Sequence, residues 1–317
     1  MKRTCYQLQE NNRITAVSCQ NMHPETGVYW MEIESATNEE LSAELSAQDL
    51  HPLIIEDCLT PGYSTMIDRY ETAVYVEFPI NQLEPYGRTA YLSIIYLSNL
   101  LITIRQGVLP GMDKFAAMLQ NQSVLYDNHS RALSYQLLNY FVMQELTAVR
   151  QMRDQVDELT HAFVADATAV EVEAVAALKR RVSSLSDISE DRFYSLKSLM
   201  TVRSETLEIG DEKPYLNDLI SDAEYTFRMI QRLEDRLHDL HGDFQLMAHD
   251  ETEKRLRILT VISAVLLPLT LISGIFGMNF DHMDFLHWQY GYSFIMGVMG
   301  FIVVLMMVYF YRHGWFD

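Results

Sequence analysis

The chain has 317 residues, 43 of them acidic and 24 basic, for a formal charge of −19. That balance repels phosphates, excludes nucleic acid as an expected partner and favours attraction of cations. The length allows two ordinary domains, and a mean hydropathy near zero conceals a crowding of apolar residues toward the C-terminus.

In chain order, the opening "MKRTCYQLQENN" carries two basic residues but no apolar stretch, so no signal peptide is expected there. Cys5, Cys19 and Cys58 are an odd, widely spaced set without a C-x-x-C pair. They read as free thiols of a reducing compartment and offer no metal site. Residues 27–35, 72–80, 89–98 and 100–107 are rich in Tyr, Val and Ile and predict strands, whereas 38–48 and 110–122 predict helices. An α/β domain over 1–130 follows.

From 131 to 257 the strand signals vanish and apolar residues recur at helical spacing, predicting a helical stalk or funnel. "GDEKP" at 210–214 breaks the pattern. After it only Gly242 interrupts a run with no stop signal before Ile258, so one helix of about sixty residues is expected to enter the apolar segment. A helix that long calls for partners along its length, as in an oligomer. Its polar face holds nine acids and three arginines between Asp222 and Glu253. His238 and His241 lie three apart on it, without the further ligands a structural metal site needs.

Residues 258–276 are 19 uncharged positions and 292–311 another 20, each long enough to span a bilayer. Lys254, Arg255 and Arg257 precede the first, Arg312 follows the second, and the connector 277–291 has no Lys or Arg. The positive-inside rule then puts both termini in the cytoplasm, the connector outside and 312–317 as a cytoplasmic tail.

Two helices enclose no wet pore, so transport needs several subunits about an axis. One face of the first span carries Leu256, Leu259, Ser263, Leu267, Thr270, Gly274 and Gly277 at steps of three or four. Leucine rings close a pore by dewetting, and the hydroxyl and glycine end meets water. Ordinary helix packing explains the same small residues. Pro268 loosens the helix. At its end, the neutral amide of Asn279 suits outer-sphere contact with hydrated Mg²⁺, which sheds water reluctantly. Asp281 and Asp284 raise the local cation concentration.

The run "ILTVISAVLLPLTLISGIFGMNF", followed by "HWQYGY", resembles the CorA family of magnesium and cobalt transporters, with Gly277-Met278-Asn279 at its signature tripeptide. "HPLIIEDCL" (51–59) extends the likeness more loosely into the first half. The resemblance implies a homopentamer: a cytoplasmic α/β domain, a long-helix funnel and two C-terminal transmembrane helices, the first lining the pore. It places Gly277, Met278 and Asn279 at the outer selectivity loop, Leu256, Leu259 and Leu267 at hydrophobic constrictions, and Thr270 at a polar pore position. Asp218 falls at an acidic position of a regulatory Mg²⁺ site between subunits, with Asp154, Asp157 and Glu158 as candidate partner acids. Three positions depart from the family: Glu253 replaces an asparagine at the inner pore end, "MDFL" (283–286) moves the loop acid, and "YRHGWFD" lacks a lysine run.

The expected function is a channel-like Mg²⁺ importer, passing Co²⁺ or Ni²⁺ and gated by cytoplasmic Mg²⁺, in a bacterial inner membrane. Its partners are itself, lipid and divalent cations, without a prosthetic group. Two readings stay open: a proton-coupled zinc transporter of the ZntB branch, kept alive by Glu253, and a membrane-anchored sensor or scaffold without conduction. No P-loop, dinucleotide turn or nucleophile constellation supports an enzyme.

Overall fold

The computed structural model describes residues 1–34, 36–61, 67–70, 72–81, 89–107, 109–122, 124–167, 170–201, 213–278 and 288–315. They fall into two compact units, Met1–Leu240 and His241–Asp317.

In the first unit, β1 (Lys2–Leu8) and β2 (Ile14–Val17) form a hairpin ahead of β3 (Tyr29–Glu34), α1 (Asn38–Ser46) and α2 (Pro52–Leu59). Then come β4 (Ile67–Arg69), β5 (Val74–Asn81), β6 (Thr89–Tyr96), β7 (Leu100–Arg105), α3 (Pro110–Asn121), α4 (Ser130–Ala165) and α5 (Val172–Leu199). The strands make one seven-stranded sheet in the order β2-β1-β3-β7-β6-β5-β4. Every pairing is antiparallel except β3 with β7.

Alternation along the strands sends successive side chains to opposite faces. Val74, Val76, Phe78, Leu92 and Ile94 pack beneath α3, α4, α5 and Leu216, Leu219 and Ala223 of α6 (Lys213–Phe276). Met31, Tyr75, Ile95 and Ile102 pack with Leu41 and Leu45 of α1 and Ile54 of α2. The result is a sheet with helices on both faces. Two buried charges fasten it. Arg105 Nε donates to Glu32 Oε1 at 2.8 Å. Arg192 of α5 donates to Pro79 O through Nε (3.1 Å) and Nη2 (2.9 Å), and through Nη1 to Glu145 Oε2 (2.5 Å). Burial pushes the Glu145 carboxyl up even with Arg192 beside it.

The predicted strands and the helices at 38–48 and 110–122 appear close to their expected places. The expectation missed β1, β2, β4 and α2. It was also wrong about the cysteines: Cys5 and Cys19 form a disulfide, with Cα atoms 5.4 Å apart, and only Cys58 is free and buried. The cause is the hairpin, whose register sets Cys5 opposite Val17, two residues before Cys19.

α6 runs 64 residues without interruption, through Gly242 and Pro268. This is the long helix foreseen from the missing stop signal. The second unit holds the part of α6 from His241 onward and α7 (Gly291–Arg312), with Trp315 folded back so that its ring lies 5.2 Å from that of Phe310.

Candidate functional site

The two apolar segments, at the end of α6 and in α7, are strongly apolar, yet almost all of each is left uncovered. A core helix of a soluble domain would be covered, so these are the segments fit to cross a membrane.

Within the second unit the burial of α6 is one-sided. Val261 is buried, and Arg257, Ala264, Val265, Pro268, Leu269, Ile272 and Phe276 are half-covered. Ile258, Val261, Ile262, Val265 and Leu266 line a cavity of about 280 Å³ with Met307 and Trp315. At 3.6 residues per turn, the candidate stripe lies on roughly the opposite side from Val261. Its leucines are bare: Leu256 is 57% exposed, Leu259 59% and Leu267 69%.

The polar members of the stripe have settled hydrogens. Ser263 Oγ donates to Leu259 O and Thr270 Oγ1 to Leu266 O, each at 2.8 Å. With the proton committed to the backbone, each oxygen presents only lone pairs outward. Such an oxygen accepts from the water shell of a cation and has nothing to offer an anion. A Cβ at Gly274 would meet nothing within 4 Å. At Gly277 it would sit 3.0 Å from Ser273 O, which already accepts the Gly277 N–H at 2.9 Å. A side chain there would be tight against that carbonyl, and Met278 N donates back to Ile275 O at 3.3 Å.

Glu253 is exposed and paired with Arg257 at 3.0 Å. Asn279, Asp281 and Asp284 lie outside the described residues, so the structure brings together the helical part of the predicted path and not its outer loop.

Asp218 lies in the first unit, exposed on α6. Its neighbour Asp222 has its carboxyl raised by burial and then by the Asp218 charge. Tyr135 is raised by burial and by both aspartates, and stands edge-on to Tyr215, whose ring stacks on Tyr126 at 4.2 Å. Of the candidate partner acids, Asp157 is engaged by Arg236 at 2.5 Å, and Asp154 lies 3.4 Å from Arg153. Among the described residues, none forms an ion pair with Glu158. Sequence reasoning missed a second acidic group, at α2 and β4. Burial, then Asp68 and Glu56, raise the Asp57 carboxyl, and the same acids act on Tyr70, which stacks on His51 at 4.6 Å. Only folding places β4 beside α2, so no spacing in the sequence signals it.

Comparison with known proteins fits this geometry. The profile described as "CorA-like Mg2+ transporter protein" matches residues 25–312. The cobalt/magnesium transport protein CorA of Thermotoga maritima is 23% identical over 273 residues, 84% of this chain and 77% of that protein. Among solved structures, the complete CorA magnesium transporter of Methanocaldococcus jannaschii superposes with a TM-score of 0.83 at 16% identity, covering 99% of both chains. The ZntB cytoplasmic domain of Vibrio parahaemolyticus reaches 0.62 at 10% identity, over 79% of this chain and 98% of that one. These likenesses carry the fold class: an α/β sheet domain, a long helix and two apolar C-terminal helices. The chain belongs to the CorA-like Mg²⁺ transporter family, a family of divalent-metal transporters and not of enzymes.

Proposed function

We propose that this chain is a channel-like Mg²⁺ importer, passing Co²⁺ and Ni²⁺ as well, that works as a homopentamer in a bacterial inner membrane with both termini in the cytoplasm. One observation carries the reading: the Leu256–Thr270 stripe is left bare opposite the face that α6 buries within its own chain. Two helices enclose no pore, so that bare face is completed by copies of itself around an axis, with lipid against the remainder. Rings of Leu256, Leu259 and Leu267 close the path by dewetting, and Ser263, Thr270 and the open backbone at Gly274 wet its upper part. The Gly277-Met278-Asn279 loop offers an amide to a hydrated dication, which Asp281 and Asp284 concentrate.

Cytoplasmic Mg²⁺ regulates the pore. Asp218 and Asp222 stand one turn apart on α6, and burial, then the Asp218 charge, raises the Asp222 carboxyl. A dication bridging Asp218 to an acid of a neighbouring copy holds the ring shut, and its loss lets the charges separate. A second reading, a proton-coupled zinc carrier, is favoured by Glu253 at the inner end of the stripe. The third, a sensor without conduction, leaves the stripe unexplained.

Flux into proteoliposomes tests these readings, with Mg²⁺, Co²⁺ and Zn²⁺ offered separately, with and without a pH gradient. Mg²⁺ entry indifferent to the gradient and abolished by Asn279→Ala is the expected result. Zn²⁺ entry that requires the gradient selects the second reading, and no flux from intact oligomers selects the third.

A further inference from the structure

Among the described residues, three metal-ligating side chains converge on α6 in the second unit: His249, Asp250 and Glu253. One ligand atom from each lies within 4.8 Å of the others, and all three are exposed. We propose that they form a binding site for a borderline transition-metal dication, Zn²⁺, Co²⁺ or Ni²⁺, in preference to Mg²⁺.

The helix builds the geometry. His249 and Glu253 are four residues apart and stand one above the other on a single face; Asp250 is three before Glu253 and flanks the pair. Bonds of about 2.0–2.2 Å at tetrahedral angles set ligand atoms about 3.4 Å apart around one ion. The side chains therefore close by about 1 Å to hold an ion, and their exposure leaves them free to rotate that far. The imidazole decides the metal. Mg²⁺ takes oxygen ligands and keeps its water, so His249 gives it nothing, whereas an imidazole with carboxylates suits Zn²⁺, Co²⁺ and Ni²⁺. Three protein ligands leave positions for water, which makes an exchanging site and not a closed structural one.

The competitor is Arg257, 3.0 Å from Glu253 Oε1. An exposed ion pair four residues apart on a helix holds its partner by a factor of about five at most, so a dication displaces it. The site stands on these three side chains alone. It rests on the transport reading only for its role, which is to hold transition metals at the cytoplasmic end of the stripe, ahead of Leu256.

The test is a Co²⁺ titration of the full-length, tag-free protein in detergent, followed by visible absorption, with Mg²⁺ present in large excess. The expected result is a saturable Co²⁺ spectrum approaching one ion per chain that Mg²⁺ does not displace. His249→Ala and Glu253→Gln should each weaken it by at least about ten-fold, with unchanged circular dichroism and oligomer size. A titration in His249→Ala that matches the parent, or no saturable Co²⁺ spectrum in the presence of the Mg²⁺ excess, overturns the proposal. Mg²⁺ flux after reconstitution of the same preparations into proteoliposomes separates the two claims: absent flux sinks the transport reading and leaves the Co²⁺ result standing.

Discussion

Replacing Gly274 with alanine separates the needs of one chain from the needs of a pore. In the single chain the added Cβ meets nothing within 4 Å, so it causes no clash. Alanine also favours a helix interior over glycine by about 1 kcal/mol, so the variant should fold at least as well. If the stripe lines an axis, however, every copy adds a methyl projecting about 1.5 Å into the same narrow level. A hydrated cation passing there loses one or two water hydrogen bonds at a net cost of about 1–3 kcal/mol, which slows flux roughly five- to 150-fold. The assay is initial Mg²⁺ flux into proteoliposomes per oligomer, compared with Gly297→Ala. Gly297 on α7 also has nothing within 4 Å of its added Cβ, and that variant should conduct like the parent. Parental flux in a correctly assembled Gly274→Ala protein would refute the reasoning, because a methyl on the path cannot be invisible to the ion.

Other consequences are as direct. Gly277→Ala forces a Cβ to 3.0 Å from the Ser273 carbonyl, a backbone atom that cannot swing aside; Mg²⁺ flux should fall while the thermal midpoint moves little. Arg192→Ala strands the buried Glu145 carboxylate and frees Pro79 O, and should cost about 3–5 kcal/mol in urea unfolding of the full chain. The native state raises Asp57, so it binds that proton more tightly than the unfolded chain does. The associated stability is present below the unfolded aspartate's range and is lost as pH rises through the raised value. Asp57→Asn should therefore raise the thermal midpoint at neutral pH and leave it unchanged in acid. On the proposed gating, Mg²⁺ should protect the parent from protease, and Asp218→Ala should abolish that protection. Under denaturing conditions without reductant, alkylation should modify Cys58 alone, and all three cysteines after reduction.

What the sequence disclosed, it disclosed through periodicity and uncharged length. Val74–Ile80 and Leu100–Ile104 announce strands because burial on both faces demands continuous β-branched and aromatic residues. The absence of any stop before Ile258 announced α6, which runs on through Gly242 and Pro268. The stripe and its pore reading were legible as a spacing, but whether its own chain covers that face was not. Only the burial of Val261 and the exposure of Leu259 and Leu267 show that the face is unclaimed by its own chain. The missed elements are those whose local signal is weak. β4 has three residues, and β1 shows a partly exposed, mixed pattern. α2 hides in an apolar octapeptide whose start is set by Pro52 and by His51 Nδ1 accepting from Leu53 N at 3.3 Å. The Cys5–Cys19 bond and the Asp57–Asp68 approach depend on strand register, which no spacing encodes.

The central claim is that the bare face of α6 surrounds the ion. Single cysteines at Leu259, Ser263, Leu267 and Thr270, and at Ile262 on the cavity side, would be introduced into the full chain. Each would then be exposed to a charged, thiol-specific reagent during Mg²⁺ flux. The account predicts block at Ser263 and Thr270, block at Leu259 and Leu267 only when the pore is open, and none at Ile262. Block at Ile262 with free conduction through modified Ser263 and Thr270 would put the path on the other side of the helix and contradict the account.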